Sequence, residues 1–93
     1  MDVYRALADE TRRLILDELH DRDGRSLFDI CTTLATRHEV VLTRQAVSHH
    51  LGVLEDAGLV HTAKRGRVKL HFIDTDPLAE IARRWATTRE DPT

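Results

Sequence analysis

Apolar side chains recur at helical spacing along most of this chain and alternate with polar ones only between residues 59 and 73. Asp2 is placed to cap a short first helix from Val3 to about Ala8, with Val3, Tyr4 and Leu7 on one side. Asp9 reads as a second cap, with Glu10 in the first turn and Leu14, Ile15 and Leu19 spaced for one helix face up to His20. The polar DRDGR stretch breaks the pattern. Ser26, followed three residues later by Asp29, then opens a third helix with Leu27, Ile30, Cys31 and Leu34 facing inward. From Ala35 to Leu42 there is no clean period, and this segment reads as a connection of undefined form.

Thr43 caps a fourth helix running to about Ala57, closed by Gly58 where a left-handed residue suits a helix end. Its positions 46, 47, 51 and 54 are apolar and share one side, while Arg44, Gln45, Ser48 and His49 lie opposite. Two partly alternating runs, Leu59 to Lys64 and Val68 to Ile73, flank Arg65-Gly66-Arg67 and predict a β-hairpin with a basic tip. Asp76 is expected to cap a last helix with Pro77 at its first position, and Leu78, Ile81, Ala82 and Trp85 form its apolar stripe. A frayed tail from Thr87 onward completes the reading. The fold class is therefore mainly α with a small β-hairpin.

A length of 93 residues suits one domain spanning 1–93, and 41% hydrophobic with 32% charged residues lies well outside the disordered range. No apolar run approaches the roughly 18 residues of a membrane span, and the first residues lack a secretory pattern, so a cytoplasmic protein with no membrane partner is expected. The single Cys31 cannot form an internal disulfide.

Net charge is only −2, from 14 basic and 16 acidic side chains, but it is segregated. Residues 1–36 carry eight acidic and five basic groups, and residues 72–93 carry five and three. Residues 37–71 reverse the sign, with six basic groups against three acidic, and hold five of the six histidines. A basic centre between acidic ends suits a chain that turns one face toward a polyanion. Donors and acceptors in the first turns of the fourth helix fit a recognition helix, with Arg44 suited to guanine and Gln45 to adenine. Lys64, Arg65, Arg67 and Lys69 around the hairpin tip are suited to a phosphate backbone.

The strings ALADETRRLILDEL, RQAVSHHLGVLEDAGLV and HTAKRGRVKLHFI resemble the ArsR-type family of winged helix-turn-helix transcriptional repressors over nearly the whole chain. That resemblance implies five helices and a wing, a homodimer joined through its first and last helices, and repression by occupying an operator in double-stranded DNA. It also puts Gln45, Ser48 and His49 where the family reads bases. With the capping Thr43 and Arg44 they form the candidate recognition set. One departure is ATRHEVVLT at 35–43, longer than the usual tight turn, which implies either an extended third helix or an insertion.

The dimer has a physical argument too. Val3, Tyr4, Leu7, Leu78, Ile81, Ala82 and Trp85 form two terminal stripes that a two-fold axis would bury together. The alternative is that both helices cover their own monomer.

Many relatives release DNA on binding a metal. Here the third helix offers only Asp29 and Cys31, and the last helix has no histidine or cysteine, so no metal site and no cofactor are expected. His49 and His50 diverge by about 100° on a helix, and His38, His61 and His71 show no ligand spacing. A small-molecule effector, a redox signal at Cys31 or no inducer all remain open. No catalytic constellation is present, since Ser48 and His49 diverge and no phosphate loop or carboxylate pair occurs, so an enzyme is not expected. The rival reading is a winged-helix module that binds protein.

Overall fold

The computed structural model describes residues 2–87, and the elements follow the periodicities closely. Helix α1 spans Val3–Leu7, α2 Glu10–Asp21, α3 Leu27–His38 and α4 Arg44–Asp56; strands β1 (Val60–Arg65) and β2 (Val68–Ile73) precede α5 (Asp76–Arg84). Four of the five N-caps are those expected. The side chains of Asp2, Asp9, Ser26 and Thr43 accept from the N–H groups of Tyr4, Arg12, Asp29 and Ala46. Each satisfies a donor that the first helical turn leaves without a partner.

The fifth cap differs. Helix α5 begins at Asp76, so Thr75 is its N-cap, without a side-chain hydrogen bond, and Pro77 is the second helical residue. Asp76 is itself held from upstream: its N–H donates to the Asp74 carboxylate at 2.9 Å, while the Thr75 carbonyl accepts from Leu78 and Ala79. The turn therefore starts one residue early.

The undefined segment resolves in favour of a longer third helix. Helix α3 continues to His38, and Glu39 takes a left-handed conformation (φ 57°). Glu39 and Val40 both turn their N–H groups onto the Leu34 carbonyl, and Val40 packs against the core. Only Glu39 to Thr43 remain to join α3 to α4. Missing periodicity in 35–38 reflects exposed Thr36 and Arg37 and a His38 that turns to Glu18 rather than to the apolar core, not loss of the helix.

One hydrophobic core unites the helices. Ile15 and Leu19 of α2, Ile30 and Leu34 of α3, and Val47, Leu51 and Leu54 of α4 are buried together with Leu59 and Val60 at the start of the hairpin. The strands pair antiparallel from Val60 opposite Ile73 to Arg65 opposite Val68. That register leaves the two-residue loop Gly66-Arg67, and Gly66 (φ 63°) supplies the positive φ a tight hairpin loop needs at its first central position. Arg25 adds an isolated antiparallel bridge to His71, fixing the hairpin to the segment before α3.

Beside the core lies a buried charged cluster. Glu18 of α2 is 3% exposed and meets Arg25 at 3.2 Å, Arg37 at 3.1 Å and His38 at 2.8 Å. A buried carboxylate survives only if paired and hydrogen-bonded. Burial pushes the Glu18 carboxyl up, but hydrogen bonds from His38 and Arg25 and the charge of Arg37 outweigh it and hold the group below its ordinary range. Arg25 also donates to Thr33, while its Nε has no partner among the described residues.

Candidate nucleic-acid interface

Helix α4 divides as its pattern demands. Val47, Leu51 and Leu54 face the core, and Arg44, Gln45, Ser48 and His49 are exposed. Thr43 spends its hydroxyl on the Ala46 N–H at 3.0 Å, which sets the helix start and so aims the residues that follow. The N-terminal turns of α4 thus present hydrogen-bonding side chains to solvent, and its apolar flank fixes their direction.

His50 lies between the two faces and is half-buried. Its Nδ1 is 3.2 Å from Arg12 Nη1, and because a guanidinium only donates, Nδ1 is the acceptor and the ring proton resides on Nε2. Burial pulls the His50 pKa below its usual value; the Asp9 carboxylate opposes this, and the charges of Arg12 and His49 reinforce it. Arg12 also donates to the Ala6 carbonyl at 2.8 Å and the Arg5 carbonyl at 3.1 Å. One guanidinium therefore ties the end of α1 and the start of α2 to the middle of α4.

Along the hairpin, Lys64, Arg65, Arg67 and Lys69 are all exposed. Lys64 sits directly opposite Lys69, so two cations share one side of the ribbon. Alternation puts Lys69 and His71 on one face of β2, and Arg67 precedes the strand in the loop. Arg67 and Lys69 then share a groove with Ser48 of α4, so helix and hairpin present their polar groups to one surface. Lys64 and Arg65 do not line that groove.

The terminal helices divide the expected dimer residues. Val3, Leu7 and Leu78 pack partly against their own core, whereas Tyr4 is 45% and Trp85 65% exposed. Ile81 is half-buried and Ala82 exposed. Tyr4 and α5 meet through a 3.3 Å hydrogen bond from Arg84 to the Tyr4 hydroxyl, and Val3, Tyr4, Pro77 and Ile81 line a groove of about 270 Å³ between the two helices.

Cys31 is half-buried, and burial raises its thiol pKa while the charge of Arg44 partly opposes the rise. The thiol is thus protonated at neutral pH and a poor nucleophile. Among the described residues no group of three or more histidine, cysteine or acidic side chains is positioned to hold a metal, and no helix is long and apolar enough to cross a membrane.

Sequence reasoning missed the Glu18 cluster. A signal was present, because Glu18 falls on the arc of Leu14 and Ile15 where an apolar residue is expected. It also passed over Phe28, which stands 63% exposed at the start of α3.

A family profile described as a helix-turn-helix domain matches residues 7–63, from the end of α1 through most of β1. The uncharacterized HTH-type transcriptional regulator YuzN of Bacillus subtilis (strain 168) is 41% identical over 83 residues, 89% of this chain and 90% of that protein. An ArsR-like transcriptional regulator from Rhodococcus sp. RHA1 superposes with a TM-score of 0.73 at 38% identity, covering 88% of this chain and 69% of that one. This chain belongs to the ArsR-type winged helix-turn-helix transcriptional regulators. In this regulator α3 and α4 form the helix-turn-helix and β1–β2 the wing. The family comprises DNA-binding regulators of transcription, not enzymes. The same fold occurs in a homodimeric winged helix-turn-helix DNA-binding domain, Mb0332 from Mycobacterium bovis, at 21% identity with a TM-score of 0.68, covering 96% of this chain and 84% of that one.

Proposed function

We propose that the regulator is a cytoplasmic homodimeric repressor, each chain a single DNA-binding domain, that occupies a near-palindromic operator. Helix α4 enters the major groove, where Arg44, Gln45, Ser48 and His49 meet base edges and neighbouring phosphates and Thr43 holds the helix start. Lys64, Arg65, Arg67 and Lys69 of the wing contact the backbone alongside. The observation that carries this reading is the groove shared by Ser48 of α4 with Arg67 of the hairpin loop and Lys69 of β2, which would let one duplex satisfy both elements. Base contacts specify and phosphate contacts position, so the two sets have different signatures.

Dimerisation through α1 and α5 is supported by the unpartnered apolar groups there. No residue of α5 is fully buried, although it carries Leu78, Ile81 and Ala82, and Trp85 follows it. A second copy related by a two-fold axis would cover Tyr4, Ile81 and Trp85. The homodimeric relative of the same fold points the same way. Two recognition helices would then meet half-sites roughly 34–36 Å apart.

Selection of duplexes from a random pool, followed by affinity measurement across salt, tests the reading. The expected result is an enriched inverted repeat whose affinity falls by on the order of 10³–10⁵ between 50 and 200 mM salt, as for about 6–10 phosphate contacts. No enriched site and a flat salt response would overturn it.

A further inference from the structure

The groove between wing and recognition helix has a second character that a DNA backbone does not use. Its volume is about 310 Å³, and its apolar lining comes from Leu27 and Phe28 of α3, Leu51 of α4 and Val68 of β2. Two of these remain open to water, Phe28 at 63% and Val68 at 47% exposure. Phosphates need cations and donors, not an aromatic and aliphatic wall. Arg67 and Lys69 stand at the same groove, and neither forms an ion pair among the described residues. His71 also lines it; its Nδ1 donates to the Arg25 carbonyl at 2.9 Å, so Nε2 of the neutral ring is an acceptor and the donors to an anion are Arg67 and Lys69.

We infer that this groove binds a small amphipathic carboxylate, which competes with duplex DNA for Arg67 and Lys69. The occupant follows from charge complementarity: two unpaired cations call for an anion, and the adjoining apolar wall calls for a hydrocarbon body attached to it. The size agrees, since small-molecule sites begin at about 300 Å³. The carboxylate lies against Arg67 and Lys69, and the tail covers Phe28, Val68 and Leu51. Neutralising wing cations removes backbone contacts, so ligand and operator weaken one another's binding reciprocally. The competition rests on the DNA-binding reading above; the binding of the carboxylate does not.

Calorimetric titration of the full chain with sodium octanoate, against acetate (charge without tail) and octanol (tail without charge), tests the site directly. Octanoate is expected to bind at least about tenfold more tightly than either control, since both burial and pairing contribute. Saturating octanoate should also weaken binding of the selected duplex by about tenfold at fixed salt, as expected when one to two phosphate contacts are lost. Phe28→Ala, at an exposed position outside the DNA-contacting set, should abolish the octanoate effect and leave duplex affinity unchanged. Absence of octanoate binding in protein that binds its duplex overturns the inference alone, as does octanol or acetate binding equally well. Octanoate binding without effect on the duplex overturns the competition. Octanoate binding by protein that fails to bind any duplex supports the site and overturns the repressor reading instead.

Discussion

Lys64 and Lys69 face each other across the ribbon, an arrangement that disfavours the hairpin in the absence of a polyanion. Replacing Lys64 with threonine should therefore raise the stability of the free protein by about 0.2–1 kcal/mol in chemical denaturation, the range for cross-strand pairs. The same variant should weaken every duplex alike and lower the slope of affinity against salt by about one. Unchanged duplex affinity and an unchanged salt slope would remove Lys64 from the DNA surface. Gln45→Ala has a different expected signature: lost preference at particular base pairs of the selected site, with non-specific affinity unchanged. The exposure of Gln45 and Lys64 was legible in the sequence, because each stands on a polar face set by its own element's pattern. Glu18 was not legible in the same way, because its partners lie seven, 19 and 20 residues away.

Helices α2 and α3 are joined by that carboxylate as well as by apolar contact. Truncating Glu18 to alanine leaves Arg25 buried without its counter-ion, and breaking such a pair destabilises by about 3–5 kcal/mol. Thermal or denaturant unfolding should register that loss, and a loss under about 1 kcal/mol would mean that the cluster is solvated. The end of α3 offers the opposite case. Glu39 holds a left-handed conformation that disfavours a side chain by roughly 1–2 kcal/mol, so Glu39→Gly should stabilise the protein, by less than that because glycine also loosens the unfolded chain. Four of the five helix starts were readable because a side-chain cap acts within three residues of itself; α5, whose N-cap Thr75 makes no side-chain bond, was the exception. The end of α3 was not, because its closure depends on Val40 reaching the core and on two N–H groups converging on Leu34.

For the molecule as a whole, acid acts on groups that the fold has shifted in one direction. Folding lowers the His50 pKa, so the unfolded chain takes up that proton first, and stability falls as pH drops through its unfolded value of about 6.5. Glu18 and Asp9 are also depressed on folding: burial opposes this in each, but it is outweighed in Glu18 by His38, Arg25 and Arg37, and in Asp9 by the Arg12 N–H and the charges of His50 and Arg12. Their contribution is full above the unfolded values of about 4.3 and 3.9 and is lost as pH falls through the folded ones. Unfolding free energy should thus decline in two stages, and His50→Gln should remove the upper stage, leave the Glu18 part of the lower one and shrink the Asp9 part, which loses the His50 charge. Because His50 accepts from Arg12, its protonation also strains the link between α4 and the end of α1. Assembly is testable at the same scale. Ile81→Asp, with Trp85→Ala as a milder companion, should shift sedimentation toward monomer and weaken operator binding far more than binding to a half-site.

Spacing along the chain was enough to establish five helices, a hairpin with a cationic tip, a polar flank on α4 and apolar stripes at both ends. Those features arise from interactions over a few residues, and the chain carries them wherever it folds. Tertiary packing decided the rest. It extended α3 to His38, gathered Arg25, Arg37 and His38 around Glu18, joined His50 to Arg12, and brought Phe28, Ser48 and Lys69 to one groove. Each of these needs groups from separate segments to meet, and periodicity carries no information on which segments those are.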